Sequence, residues 1–143
     1  AADFYGFDIH SFSAGTEVTA FNQNAINALI ACGFEVKKSD ETANPKYEVI
    51  FGESKSNLCF SKTIDDESLP KENFVAVITC GDADENCPFI PGCDLRIGTT
   101  YFDPKSYDNS ILMDEKYTER SNQIAMECLY SFSLLKKIKC SQN

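Results

Sequence analysis

The chain has 143 residues and a mass of 15.9 kDa, room for one domain but not for two independent cores. With 43% apolar and 24% charged residues its composition is globular, and a domain of this size buries about 70% of its unfolded surface without a metal or disulfide staple. Lys and Arg number 13 against 22 Asp and Glu, a formal charge of −9 that argues against nucleic acid as a partner, and no apolar run approaches the roughly 18–20 residues of a membrane span.

The chain opens Ala1-Ala2-Asp3-Phe4-Tyr5, with neither an initiator Met nor a signal-peptide pattern. It is expected either to have lost a leader or to be a piece of something longer. Residues 7–13 alternate apolar and polar side chains, the period of a strand, until Ala14-Gly15-Thr16 breaks the run. From Thr19 the period becomes helical: Phe21, Ala25, Ile26, Leu29 and Ile30 share one face, and Gly33 supplies the C-terminal cap. A short strand over 34–36 completes a strand–helix–strand unit, which predicts parallel pairing.

Asn44-Pro45 marks a turn. Residues 47–51 and 58–61 read as the strands of a hairpin around 52–57, followed by a polar loop over 64–73. Residues 74–79 form a nearly continuous apolar run, as expected of a strand covered on both faces. The last helix is predicted over about 115–137, with Tyr117, Ile124, Cys128, Phe132 and Leu135 at helical intervals. Lys136, Lys137 and Lys139 suit its C-terminal dipole. No repeat or linker interrupts the pattern, so residues 1–143 are read as one α/β domain.

Seven cysteines, at 32, 59, 80, 87, 93, 128 and 140, cannot all pair within the chain and form no compact disulfide framework, which favours the cytoplasm. Cys32 and Cys128 fall in helical patterns and are expected to be buried thiols acting as small hydrophobes. Cys-x2-Cys pairs do not repeat and His10 is the only histidine, so neither a structural zinc site nor another metal or cofactor is expected. A Ser-His-Asp triad would have to use His10, and no Gly-x-Ser-x-Gly elbow accompanies it.

The apolar strand runs into Thr79-Cys80-Gly81-Asp82-Ala83-Asp84-Glu85-Asn86-Cys87-Pro88. Open α/β sheets place their sites beyond the carboxyl ends of strands, which is where Cys80 falls. A helix between Cys80 and Cys87 would rise about 10 Å in two turns, whereas disulfide-linked Cα atoms lie about 4.4–6.8 Å apart. Bonding the two thiols would therefore unwind the helix, the geometry of a redox switch; the competing reading is two half-buried thiols beside an acidic loop. Cys93 is a candidate competitor in disulfide exchange. In Tyr101-Phe102-Asp103-Pro104 the carboxylate precedes a proline that holds it extended, available as a general acid or simply as a turn-forming residue.

Together these segments resemble the thioredoxin-coupled arsenate reductases, which have the low-molecular-weight protein tyrosine phosphatase fold. The resemblance rests on Val77-Ile78-Thr79-Cys80, the stretch from Asp82 to Pro88, Phe102-Asp103-Pro104, and upstream Ser11-Phe12-Ser13-Ala14-Gly15-Thr16-Glu17. Phe60-Ser61-Lys62, Cys87-Pro88-Phe89-Ile90-Pro91-Gly92 and Glu119-Arg120-Ser121 are similar to a bacterial phosphatase-like branch of that family.

The resemblance implies a three-layer, mainly parallel sheet with helices on both faces. It also implies a small oxyanion or phosphotyrosine as substrate and a thioredoxin-like reductant as partner. Cys80 would attack a nucleophilic cysteine, Cys87 would resolve the disulfide, and Asp103 would act as general acid. The family's nucleophile and oxyanion donors lie in an N-terminal Cys-x5-Arg loop, and no cysteine of this chain has Arg six residues on; Arg96 and Arg120 are its only arginines.

Three expectations follow: a fragment whose loop lies on a separate N-terminal segment, a catalytically inactive family member serving as a binding or structural protein, or a redox module using Cys80 and Cys87 alone. These 143 residues alone are expected neither to reduce arsenate nor to hydrolyse a phosphoester by the family's mechanism. In the family a buried strand central to the sheet leads into that loop; this chain is expected to lack the strand as well, so its neighbours are expected to lack a ladder partner.

Overall fold

A computed structural model describes residues 1–79 and 89–142. In chain order these form α1 (Gln23–Ala31), β1 (Glu35–Lys38), β2 (Tyr47–Gly52), β3 (Lys55–Cys59), β4 (Phe74–Ile78), β5 (Cys93–Gly98), a 3₁₀ turn (Pro104–Tyr107) and α2 (Met113–Ser141). The protein is mixed α/β, with one sheet in the order β1-β2-β3 and a second made of β4 and β5. Among the described residues no helix is long and apolar enough to cross a membrane.

Helix α1 starts at Gln23 because Asn22 caps it, its side chain accepting from the N–H of Asn24 (2.8 Å) and of Ala25 (3.4 Å). It ends as expected. Gly33 adopts φ +94°, its N–H reaches Ile30 O, and the Phe34 N–H reaches Leu29 O, the paired closing bonds of a glycine-terminated helix. Ile26 and Ala28 point inward.

Strand β1 follows but pairs antiparallel with β2, Val36 opposite Val49, not parallel with an earlier strand. The connection over 39–46 is shorter than the dozen or more residues of a parallel crossover. The β2–β3 hairpin turns more tightly than expected, Gly52 opposite Lys55, with Ser54 at φ +57°.

Residues 7–13 form no strand among the described residues, and Gly15 alone makes a parallel bridge with Thr63. Alternation prepares one face for burial, but a strand also needs a neighbour for its N–H and C=O groups. Ile9 and Phe12 accordingly stay 54% exposed.

The segment is anchored at its start instead, where Phe7 packs 5.7 Å from the Phe132 ring on α2 and the Lys139 ammonium lies 5.6 Å from Phe7. Further along, Phe60-Ser61-Lys62 is a tie point. Asn44 brackets Ser61 through its carbonyl (2.8 Å) and N–H (3.2 Å), the Thr19 N–H donates to Ser61 Oγ, and the buried Lys62 ammonium sits 3.9 Å from the Phe60 ring.

Strand β4 pairs parallel with β5, Val77 opposite Ile97. Ala76 and Ile78 are buried, but Val75 and Val77 are 51% and 53% exposed, with Leu95 and Ile97 of β5 also open. The strand is therefore covered on one face, not both. Gly92, just ahead of β5, adopts φ +80° and lies so close to residue 71 that a Cβ there would meet Lys71 O at 1.9 Å. Cys32 and Cys128 are exposed rather than buried: Cys32 falls past the last turn of α1, beside Ser121 and Asn122 of α2.

Candidate functional site

The parallel register extends past the strand ends. The Thr99 N–H donates to Ile78 O at 2.8 Å and the Tyr101 N–H to Thr79 O at 3.0 Å. Thr79, which precedes Cys80 in sequence, and the Tyr101–Phe102–Asp103 segment thus share the carboxyl edge of one parallel pair. Cys80 and Cys87 themselves lie outside the described residues. Cys93 pairs with Phe74 at the amino end of the same sheet, its thiol 3.3 Å from Ile90 O. Five residue steps along the strand, about 17 Å of rise, separate Phe74 from Thr79.

Asp103 caps the 3₁₀ turn. Its backbone is extended (φ −69°, ψ 119°), Pro104 takes the first position of the turn, and its Oδ1 accepts the Lys105 N–H at 2.9 Å. The carboxylate is exposed. Beside it a small cleft of about 130 Å³ is lined by Phe102, Pro104, Tyr107, Lys116, Glu119 and Arg120, with Lys116 paired to Glu119 at 2.7 Å.

Helix α2 holds this edge from behind. Arg120 Nε donates to Phe102 O at 3.1 Å, and its guanidinium lies 5.7 Å from the Tyr101 ring. Tyr101 donates its hydroxyl to Glu127 at 2.5 Å, and Gln123 donates to the same carboxylate at 2.8 Å. The bond to Glu127 pushes the Tyr101 pKa up, while the hydroxyl and then the Gln123 amide hold Glu127 below the usual carboxylate range.

A second polar group lies deeper. Asp108 Oδ1 accepts from Asn24 of α1 (3.0 Å) and from the Tyr117 hydroxyl of α2 (2.9 Å), tying both helices to the loop after the 3₁₀ turn. Neither the α2 clamp nor this hub was anticipated. Arg120, Gln123 and Glu127 recur at helical spacing on the face toward Tyr101, a polar stripe that sequence alone presents as a solvated face.

Burial, then the Asp108 bond, raises the Tyr117 pKa. The folded state therefore holds this proton more tightly than the unfolded chain does. The resulting stabilisation is fully present below the ordinary tyrosine pKa of about 10 and is lost as pH rises through the higher folded value. Urea midpoints should fall as pH rises above about 10, less steeply in Tyr117→Phe; equal slopes in the two proteins would contradict this.

The described residues thus define a mixed α/β protein whose parallel strand pair presents an exposed, proline-fixed carboxylate at its carboxyl edge, braced by the last helix. Comparison with protein-family models, with curated proteins and with solved structures finds no match to this chain.

Proposed function

We propose that this chain is a domain like the thioredoxin-coupled arsenate reductases and low-molecular-weight phosphatases, in which Cys80 and Cys87 are a redox pair and Asp103 is the general acid. The finer fold, a three-layer and mainly parallel sheet, belongs to the same proposal. The observation that carries it is the shared edge: Thr79, leading into Cys80, and the Asp103 segment meet through the Tyr101–Thr79 backbone bond, where parallel α/β sheets build their sites.

The exposed Asp103 carboxylate has room to approach a leaving oxygen. Reduction of an arsenate-like oxyanion by two electrons would leave the cysteines as a disulfide, which a thioredoxin-like dithiol then reduces. Oxyanion turnover further requires a Cys-x5-Arg loop, which these 143 residues do not supply. The odd cysteine count is the support for a cytoplasmic setting.

Mild oxidation with hydrogen peroxide, followed by alkylation and peptide mapping, is the test. A Cys80–Cys87 disulfide should form, helical circular dichroism should fall as it does, and thioredoxin should reverse both. Cys87→Ser should abolish the change. A second reading, an inactive relative that binds a partner, draws on the open apolar face of Val75, Val77, Leu95 and Ile97. Thiols that stay inert while the protein remains folded would favour it over the redox pair.

A further inference from the structure

Neither the thiol pair nor Asp103 accounts for the segment Glu119-Arg120-Ser121. We propose that Arg120, acting with Gln123 and Glu127, is a positioning residue that fixes the peptide ahead of Asp103 and so sets where its carboxylate stands on the sheet edge. This deepens the proposed function and rests on Asp103 being the functional acid.

The contacts form a closed circuit. From Phe102 O it runs to Arg120 (3.1 Å), from Arg120 to the Gln123 side-chain oxygen Oε1, from Gln123 Nε2 to Glu127 (2.8 Å), and from Glu127 to the Tyr101 hydroxyl (2.5 Å). It leaves and rejoins the chain at two adjacent residues, directly before Asp103. The Phe102 carbonyl and the Asp103 N–H share one rigid peptide plane, so holding the first orients the second. Behind Asp103, Pro104 confines ψ to the extended region, as the observed 119° reflects. The bond from the Lys105 N–H then holds the carboxylate itself (2.9 Å).

Magnitudes separate positioning from simple stabilisation. The circuit is exposed, and exposed polar contacts contribute little to global stability. Its effect should therefore be local, on the segment it brackets.

Amide hydrogen exchange by NMR on the full chain is the test, read at Lys105, whose N–H is held by Asp103. Arg120→Met should raise Lys105 exchange about tenfold, the scale of one charge-assisted hydrogen bond, and should shift the Asp103 carboxyl carbon resonance. The Cys32 amide at the end of α1 and the urea midpoint should not move. Tyr101→Phe, which removes only the hydroxyl, should move Lys105 the same way by less, and it decides the matter if Arg120→Met does not fold. Unchanged Lys105 exchange in a folded variant, or an equal rise at Lys105 and Cys32, would overturn the proposal. The readout uses neither Cys80 nor Cys87, so a failed clamp and a failed redox pair give different results.

Discussion

Replacing Gly92 by alanine is expected to cost about 3 kcal/mol or more of stability, the largest effect expected of a Gly→Ala change among the described glycines. Two causes add. The φ of +80° is a left-handed conformation that costs an L-residue about 1 kcal/mol or somewhat more. The new Cβ would also lie 1.9 Å from Lys71 O and 2.9 Å from Lys71 C, backbone atoms that cannot swing aside.

Two other glycines separate these causes. Gly33 has φ +94° but open space around its missing Cβ, so Gly33→Ala should cost about 1 kcal/mol. Gly98 has open space and no left-handed backbone, so Gly98→Ala should be close to neutral. Urea unfolding of the three variants should rank them Gly92, Gly33, Gly98. If Gly92→Ala matched Gly33→Ala, the close approach of residue 71 to the start of β5 would not be a feature of the folded protein.

Asp108→Ala should cost about 2–3 kcal/mol. Its carboxylate accepts from Asn24 and Tyr117, and Tyr117 is 6% exposed. Removing the acceptor leaves the proton of this part-buried hydroxyl without the carboxylate that receives it, which costs more than the bond itself contributes. Tyr117→Phe removes donor and desolvation penalty together and should cost about 1 kcal/mol. The double variant should then be less damaging than the two singles summed, a coupling that urea titration of all four proteins measures. Strict additivity would mean that Asp108 and Tyr117 do not act through one bond.

Local chemistry was the most legible part of the sequence. Gly33 ends α1 by backbone bonds within a few residues, so its role could be read without knowing the rest of the fold, whereas the pattern places the helix start at Thr19 and the Asn22 cap sets it at Gln23. The alternating run 47–51 and the apolar run 74–79 likewise became β2 and β4.

Partner choice was not legible. The alternation of 7–13 prepares a strand, but forming one takes a neighbouring edge, and none meets this segment among the described residues. The run at 74–79 says which side chains would gain from burial on either side, yet only Ala76 and Ile78 find cover. The parallel pairing expected around α1 failed at β1 because β2 is nearer along the chain and needs no crossover.

At the candidate site, Asp103 was found through its proline. The residues bracing it were not, because Arg120, Gln123 and Glu127 act across 18 to 26 positions of sequence and carry no motif of mutual spacing with Tyr101. The hub of Asn24, Asp108 and Tyr117 was hidden for the same reason, the bonded pair Asn24 and Asp108 lying 84 positions apart.

The uncovered face of β4 and β5 bears on how molecules of this protein meet. Val75, Val77, Leu95 and Ile97 offer an apolar patch to any neighbour, and β4 itself carries no charge that would turn a neighbour away. Long-range repulsion from the −9 net charge would oppose such contact between two copies. That repulsion weakens when salt shortens the Debye length, and it vanishes near the sequence isoelectric point of about 4.5. Ionic strength and acidity are therefore expected to set colloidal behaviour, with self-association favoured in concentrated salt or mild acid and opposed in dilute, low-salt, neutral solution.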